Sequence, residues 1–363
     1  MDEDRVTCLC YNINIQYSRG GTDFRLSSPA VFSETLARPL IQNPSQWDVL
    51  INKFKIDTFS IPLTIVELQE YQPISTDGSY LTNYWVTLKH GAMYYSAQCV
   101  HRPEHNCNAP PKVMNVNEEG YVKYDNCNAA FFVYSYQHFL DMVNDGMKNV
   151  CHQAGLDSTV PELLFDPDTQ RIDVSYPENF RQDLGEFDEV FFSQNLDKFV
   201  GKGFRCNWTK IGATFVFSHW VKGNVTYIQQ EYTTVTSWNI CNAILITSTS
   251  LPVQPEYYPI HNADGDLVHN HTGNSEYTNM SSLSVLAVYY PNASKAGDMS
   301  TSVYYSADNL QCGDRISLRG STPINRMEIQ IYWADIYNNL YQLHLPENGQ
   351  ASIRLVFIRK NKN

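Results

Sequence analysis

The stretch that decides the fold runs from Arg326 to Asn363, RMEIQIYWADIYNNLYQLHLPENGQASIRLVFIRKNKN. Met327, Ile329 and Ile331 alternate with polar neighbours, as do Leu343 and Leu345, and then Ile353, Leu355 and Phe357. Successive side chains of a strand point to opposite faces, so apolar residues at every second position describe a strand with one buried and one wet face. Asn338-Asn339 and Glu347-Asn348-Gly349 carry the residue types that tight turns use. The spacing predicts a meander of three strands. No residue in it has the setting of a nucleophile, so it points to a protein whose work is packing and contact.

The rest of the composition agrees. At 363 residues the chain is long enough for two cores, since chains of this size bury roughly three-quarters of their extended surface. It carries 24 Tyr and 17 Phe, a bias that favours pleated, half-buried surfaces. Asn, Ser, Thr, Gly and Pro recur at short intervals, as an all-β chain with many turns requires. The net charge of −12 argues against a nucleic-acid surface over the whole protein, and no direct nucleic-acid binding is expected. The basic residues Arg354, Arg359, Lys360 and Lys362 read as a solvated tail. No run of 18 apolar residues exists, so no membrane span is expected. The opening Met1-Asp2-Glu3-Asp4-Arg5 is unlike a signal peptide, and the nine cysteines are odd in number and irregular in spacing. Reduced thiols and cytoplasmic or nuclear synthesis are therefore expected. Sequons at Asn207, Asn224, Asn270, Asn279 and Asn292 are what an Asn-, Ser- and Thr-rich chain produces by chance.

Four regions follow in order. Residues 1–40, with Gly20-Gly21, read as an N-terminal arm or first strands. Residues 41–135 form a first β region with strands Trp47–Ile56, Ser60–Leu68 and Leu81–Leu88, Pro62 marking an edge or bulge. A polar loop spans 101–128. Residues 136–203 form a helix-containing middle segment. Within it, Phe139, Met142, Val143, Met147 and Val150 make one helical stripe over Gln137–Val150. A second helix is predicted over Phe187–Val200, stopped by Gly201. Between them Asp166-Pro167-Asp168-Thr169 turns a hairpin. Residues 204–363 form a second β region, with Trp208, Phe215, Phe217 and Trp220 as core or interface aromatics and Ile244-Leu245-Ile246 as a buried strand. Residues 251–279 read as a long exposed loop. The fold class is mainly β with two short helices.

Reactive constellations are weak. Cys99, His101, His105 and Cys107 are zinc-type ligands, but all four lie within nine residues, whereas zinc sites usually close with a distant second pair. Cys127 and Cys151 add thiols. His261, His269 and His271 sit in the Pro- and Asn-rich loop, and solvation is the simpler reading. Asp166 and Asp168 lack the further oxygens a calcium loop needs. Trp333-Ala334-Asp335 places an aromatic near a carboxylate, as sugar sites do, yet Trp333 also fits the strand pattern. There is no Gly-x-Ser-x-Gly elbow, phosphate-cradling loop or His-Glu-x-x-His helix. No catalytic, cofactor-binding or metal residue is assigned.

Four blocks carry a family resemblance: Asn43-Pro44-Ser45-Gln46-Trp47 with Lys53–Ile56 and Ile61-Pro62-Leu63; Tyr134–Asn144; Phe165–Ile172; and Ile331–Asp335 with Leu343–Pro346 and Ser352–Phe357. In this order they resemble the minor capsid (penton) proteins of polinton-like viruses, adintoviruses and virophages. The resemblance implies a jelly-roll β-sandwich with an inserted or second β-rich domain, no active-site residues, and no cofactor. It implies a virion structural protein that self-associates as a homopentamer at the five-fold vertices of an icosahedral shell. The major capsid protein would be its neighbour and a host receptor a further partner. The 99–107 loop lies outside the pattern. Aromatic richness suits lateral interfaces, and five head-to-tail contacts can close a ring. Two other readings stay open. A carbohydrate- or receptor-binding attachment protein predicts an exposed Trp and Tyr platform near acidic residues. An all-β hydrolase predicts two convergent carboxylates in a cleft.

Overall fold

The computed structural model describes residues 8–17, 27–69, 74–76, 78–103, 112–114, 129–157, 160–177, 188–201, 203–205, 218–222, 225–254, 256–261, 280–291, 302–306, 314–336 and 340–360. They fall into two compact units. One holds the described residues up to Ile61 and from Ile240 onward, and the other those from Pro62 to Asn239. The second is therefore an insertion in the sequence of the first.

The first unit is a β-sandwich of the jelly-roll class. One sheet has the order Cys8–Gln16, Gln350–Arg359, Trp47–Asp57, Ser302–Ser306, with Ile316–Ser317 also paired to Trp47–Asp57. Its inward residues Ile13, Ile15, Phe54, Ile56, Ile353, Leu355 and Phe357 are buried, as their alternation demands. The second sheet has the order Met280–Leu283, Glu256–His261, Leu340–Gln342, Arg326–Asp335, Cys241–Ser248, Val285–Tyr289, and Val31–Thr35 pairs with Arg326–Asp335. Met327, Ile329 and Ile331 fill its inner face together with Ile244 and Ile246, while Leu245 points to the other face and packs with Tyr332, Ala334 and Leu340. The sheets meet where Phe54 packs edge-on against Tyr289, centroids 5.5 Å apart, and Tyr11 against Phe32 at 6.4 Å.

The C-terminal strands form as their alternation predicts, but they are not a meander. Arg326–Asp335 and Leu340–Gln342 belong to the second sheet, His344–Pro346 pairs with Ser27–Pro29, and Gln350–Arg359 crosses to the first sheet. The crossing is the turn at Glu347–Gly349. Asn348 sits at φ 65°, a region asparagine tolerates. A Cβ on Gly349 would lie 2.7 Å from Pro346 Cδ, so only glycine fits. Alternation sets which face of a strand is buried; it says nothing about which sheet receives it. Asn338-Asn339 lies outside the described residues.

Among the described residues the insertion carries three sheets and two α-helices. Gly203–Arg205, Glu189–Phe192, Tyr80–His90 and Met93–His101 form one sheet in that order; Glu162–Asp166, Arg171–Pro177, Val225–Gln229 and Ser218–Lys222 form another; Thr64–Glu67, Ala129–Val133 and Lys112–Met114 form the third. The predicted helix spans Tyr136–Gln153 and begins at Ser135, whose hydroxyl accepts the His138 N–H. Its stripe packs into a core with Tyr84, Val86, Phe199 and Trp238. Phe139 lies 4.8 Å from Phe199 and 4.7 Å from Trp238, centroid to centroid. Gly146 lets the helix approach closely, since a Cβ there would stand 3.0 Å from Cys99 Sγ.

The second predicted helix is corrected. Glu189–Phe192 is a strand on Tyr80–His90, and helix is confined to Gln194–Val200, ended by Gly201 at φ 89°. Val190 and Phe192 are buried while Phe191 is exposed, which is strand alternation read as helical spacing. Phe187 lies outside the described residues. Ser60–Leu68 narrows to Thr64–Glu67, and Pro62 stands outside the strand. Side-chain placement is not described for Trp220, and Trp208, Phe215 and Phe217 lie outside the described residues.

Candidate functional site

Among the described residues no group of three or more His, Cys, Asp or Glu is placed to hold a metal. Cys99 and His101 point inward from Met93–His101 into the insertion's core. Burial pushes the Cys99 thiol up to about 12, so it stands as a packed S–H rather than as a thiolate ligand. Burial, and then the neighbouring His138, hold His101 down at about 3. Its ring lies 5.3 Å from Phe131 and 5.3 Å from His138, and neither ring nitrogen has a hydrogen-bond partner. His105, Cys107 and Cys127 lie outside the described residues, as do His269 and His271; of His261 only the backbone is described. Cys151 is buried in the same core.

The other sequence candidates are structural. Asp166 accepts the Asp168 N–H at 2.9 Å and the Thr169 hydroxyl at 2.7 Å, a turn in which the Thr169 bond first lowers its pKa. Trp333 is buried and stacks on Tyr341 at 4.5 Å, and the Tyr341 hydroxyl donates to buried Asp335 at 3.3 Å. It belongs to the core, not to a sugar platform.

Sequence reasoning missed three features. Asn144 sits in the helix's apolar stripe and clamps the next strand: its amide donates to Leu163 O at 3.0 Å and its oxygen accepts the Leu163 N–H at 2.7 Å. The signal was one amide among buried helix positions. Asp188, also buried, accepts the Gly91 N–H at 2.8 Å and lies 2.8 Å from His90 Nδ1. No local pattern announces it. The third is a pair of exposed aromatics, Trp85 and Phe191, on the outer face of one insertion sheet. Phe191 lies opposite Thr87, two residues from Trp85, and Glu189 opposite Lys89. Tyr84-Trp85-Val86 and Val190-Phe191-Phe192 are unbroken apolar runs in strands with one core face, so one residue in each must point outward.

A jelly-roll sandwich is a fold that viral capsid proteins share with lectins and cupins, so the family decides the class. The family described as Sputnik minor capsid protein V18/19 matches residues 9–203 and 207–359, and the chain belongs to that family. It is a minor capsid protein of a virion. It is 29% identical over 151 residues to uncharacterized protein V18 of Sputnik virophage, covering 39% of this chain and 81% of V18. It is 26% identical over 134 residues to structural protein V19 of the same virophage, covering 37% of this chain and 56% of V19. Its fold matches a chain in the 3.5 Å cryo-EM structure of the Sputnik virophage with TM-score 0.70, 21% identity and 98% of both chains covered. It also matches the mavirus penton protein with TM-score 0.57 and 13% identity, over 98% of this chain and 100% of that one. No helix among the described residues is long and apolar enough to cross a membrane.

Proposed function

We propose that this minor capsid protein is the penton subunit. It associates as a homopentamer through the flanks of its jelly roll, occupies five-fold vertices, abuts the major capsid protein, and performs no catalysis. The observation that carries this reading is the end-to-end correspondence with the mavirus penton protein, insertion included. The chemistry supports it. The fully buried carboxylates among the described residues, Asp188 and Asp335, accept hydrogen bonds from neighbours instead of converging on a cleft. The host compartment of synthesis follows the sequence expectation of cytoplasm or nucleus. Cryo-electron microscopy of particles tests the assignment: density for this chain is expected on the five-fold axes, and density elsewhere overturns it.

A second reading has one observation in its favour. Trp85 and Phe191 stand exposed beside Glu189 and Lys89 on the insertion, as an attachment protein's platform would. Glycan-array binding that is lost on Trp85→Ala would bring that reading forward.

A further inference from the structure

The outer face of the five-stranded jelly-roll sheet is basic in a chain of net charge −12. Two cross-strand rows define it. Asn12, Arg354, Lys53 and Ser306 are partners across four strands, and Asn14, Ser352, Lys55 and Tyr304 form the next row. Lys53, Lys55, Asn12, Asn14 and Ser352 are exposed, and Tyr304 is 64% exposed. Adjacent Tyr305 instead turns inward and stacks on Phe54 at 5.5 Å. The Arg354 Nε is buried and has no hydrogen-bond partner. Two carboxylates face the same side outside these rows: Asp57, in the row beyond Lys55, accepts the Gln350 N–H at 2.8 Å and keeps its charge, and Asp48 accepts from Ser317 at 2.7 Å with Lys360 at 3.6 Å. Three cations thus stand within two rows, with no carboxylate in either row.

The geometry points to this face as a binding site for the phosphate backbone of nucleic acid, single-stranded in preference to duplex and without reading sequence. Lys53 and Lys55 are about 7 Å apart along their strand, and neighbouring strands are about 4.8 Å apart. One backbone laid across the rows therefore reaches all three cations. The Asn12, Asn14 and Ser352 side chains offer uncharged donors to phosphate and sugar oxygens, as most backbone contacts do. Exposed Tyr304, beside Lys55, supplies a face on which an unpaired base stacks. An acidic protein segment would use the cations but not the tyrosine. Overall negative charge does not forbid such a face, because screening over roughly 8–10 Å makes the local charge dominant.

Fluorescence anisotropy of a labelled oligothymidylate, with the full chain at about 50 mM salt, tests this. The expected Kd falls in the non-specific range of about 10⁻⁴–10⁻⁶ M, with a log Kobs against log salt slope of about −2. Lys53→Ser with Lys55→Ser is expected to bring that slope to about −0.7 and to weaken binding at least tenfold. Tyr304→Ala is expected to cost about tenfold on oligothymidylate and little on duplex. Both variants change exposed side chains, and oligomer size measured on the same samples separates lost binding from lost assembly. No binding at low salt, or unchanged binding by the lysine variant, overturns the inference. Displacement by polyglutamate, with Tyr304→Ala indistinguishable from the parent chain, also overturns it and assigns the face to an acidic protein segment.

Discussion

His101 should make the insertion acid-labile. Its ring is buried against Phe131 and His138, and its pKa is lowered from 6.5 to about 3, by burial first and His138 second. The folded chain keeps it neutral while the unfolded chain protonates it near 6.5. Unfolding therefore takes up a proton, and stability present above 6.5 drains away as pH falls toward 3. At pH 5 the loss is RT ln(1 + 10^1.5), about 2 kcal/mol, most of it absent at neutrality. Divided by a urea dependence of about 2 kcal/mol/M, this moves the unfolding midpoint by about 1 M. The assay is urea unfolding near neutrality and near pH 5, read by hydrogen exchange in peptides from Tyr136–Gln153, which report on the insertion alone. His101→Leu is the control: with both nitrogens unpartnered, a hydrocarbon leaves no polar group stranded. The variant should lose about 2 kcal/mol less between the two conditions than the parent chain. Equal losses in the two proteins would refute the reasoning and place the acid sensitivity in other groups.

Other expectations are as direct. Phe357→Ala should cost about 3–5 kcal/mol in denaturant melts, because the ring is fully buried where the final strand crosses the first sheet. Phe357→Asp should prevent folding or assembly, while Lys360→Ser should stay within about 1 kcal/mol. Asn144→Ala strands the Leu163 N–H, while the Leu163 C=O keeps the Gln137 amide at 3.2 Å, so a loss of about 1–2 kcal/mol and faster exchange across Glu162–Asp166 are expected. Mass spectrometry after alkylation should find Cys8 and Cys10 modified in the folded protein, and Cys99, Cys151 and Cys241 only after denaturation. A set of disulfides among them would contradict that pattern.

The strands of the last third were legible because Met327, Ile329, Ile331, Ile353, Leu355 and Phe357 repeat at a period of two, and all are buried. The Tyr136–Gln153 helix was legible for the same local reason, one apolar stripe at helical spacing. What local pattern does not encode is partnership. Gln350–Arg359 lies between Cys8–Gln16 and Trp47–Asp57, and only long-range pairing decides that. The short run Glu189–Phe192 fits both periods, and its place beside Tyr80–His90 made it a strand. The Lys53, Lys55 and Arg354 face was invisible for a related reason: two of its cations lie far from the third in sequence, and alone each reads as an ordinary wet position.

The pairing of Gln350–Arg359 with Trp47–Asp57 also sets an order of events during synthesis. The partners are roughly 300 residues apart, a loop whose closure is slow and costly. While the ribosome is still reading toward residue 350, the strand Trp47–Asp57 has no central neighbour on that side and the first sheet stays open. The insertion, by contrast, has all of its described strands in hand once residue 239 has emerged. It can fold as a finished module on a growing chain whose other unit is unfinished. The unit that completes last is the jelly roll itself, so a subunit presents a closed sandwich only when its final strand is in place. A product cut short before Gln350 lacks that strand and leaves Trp47–Asp57 and Cys8–Gln16 without the neighbour that joins them.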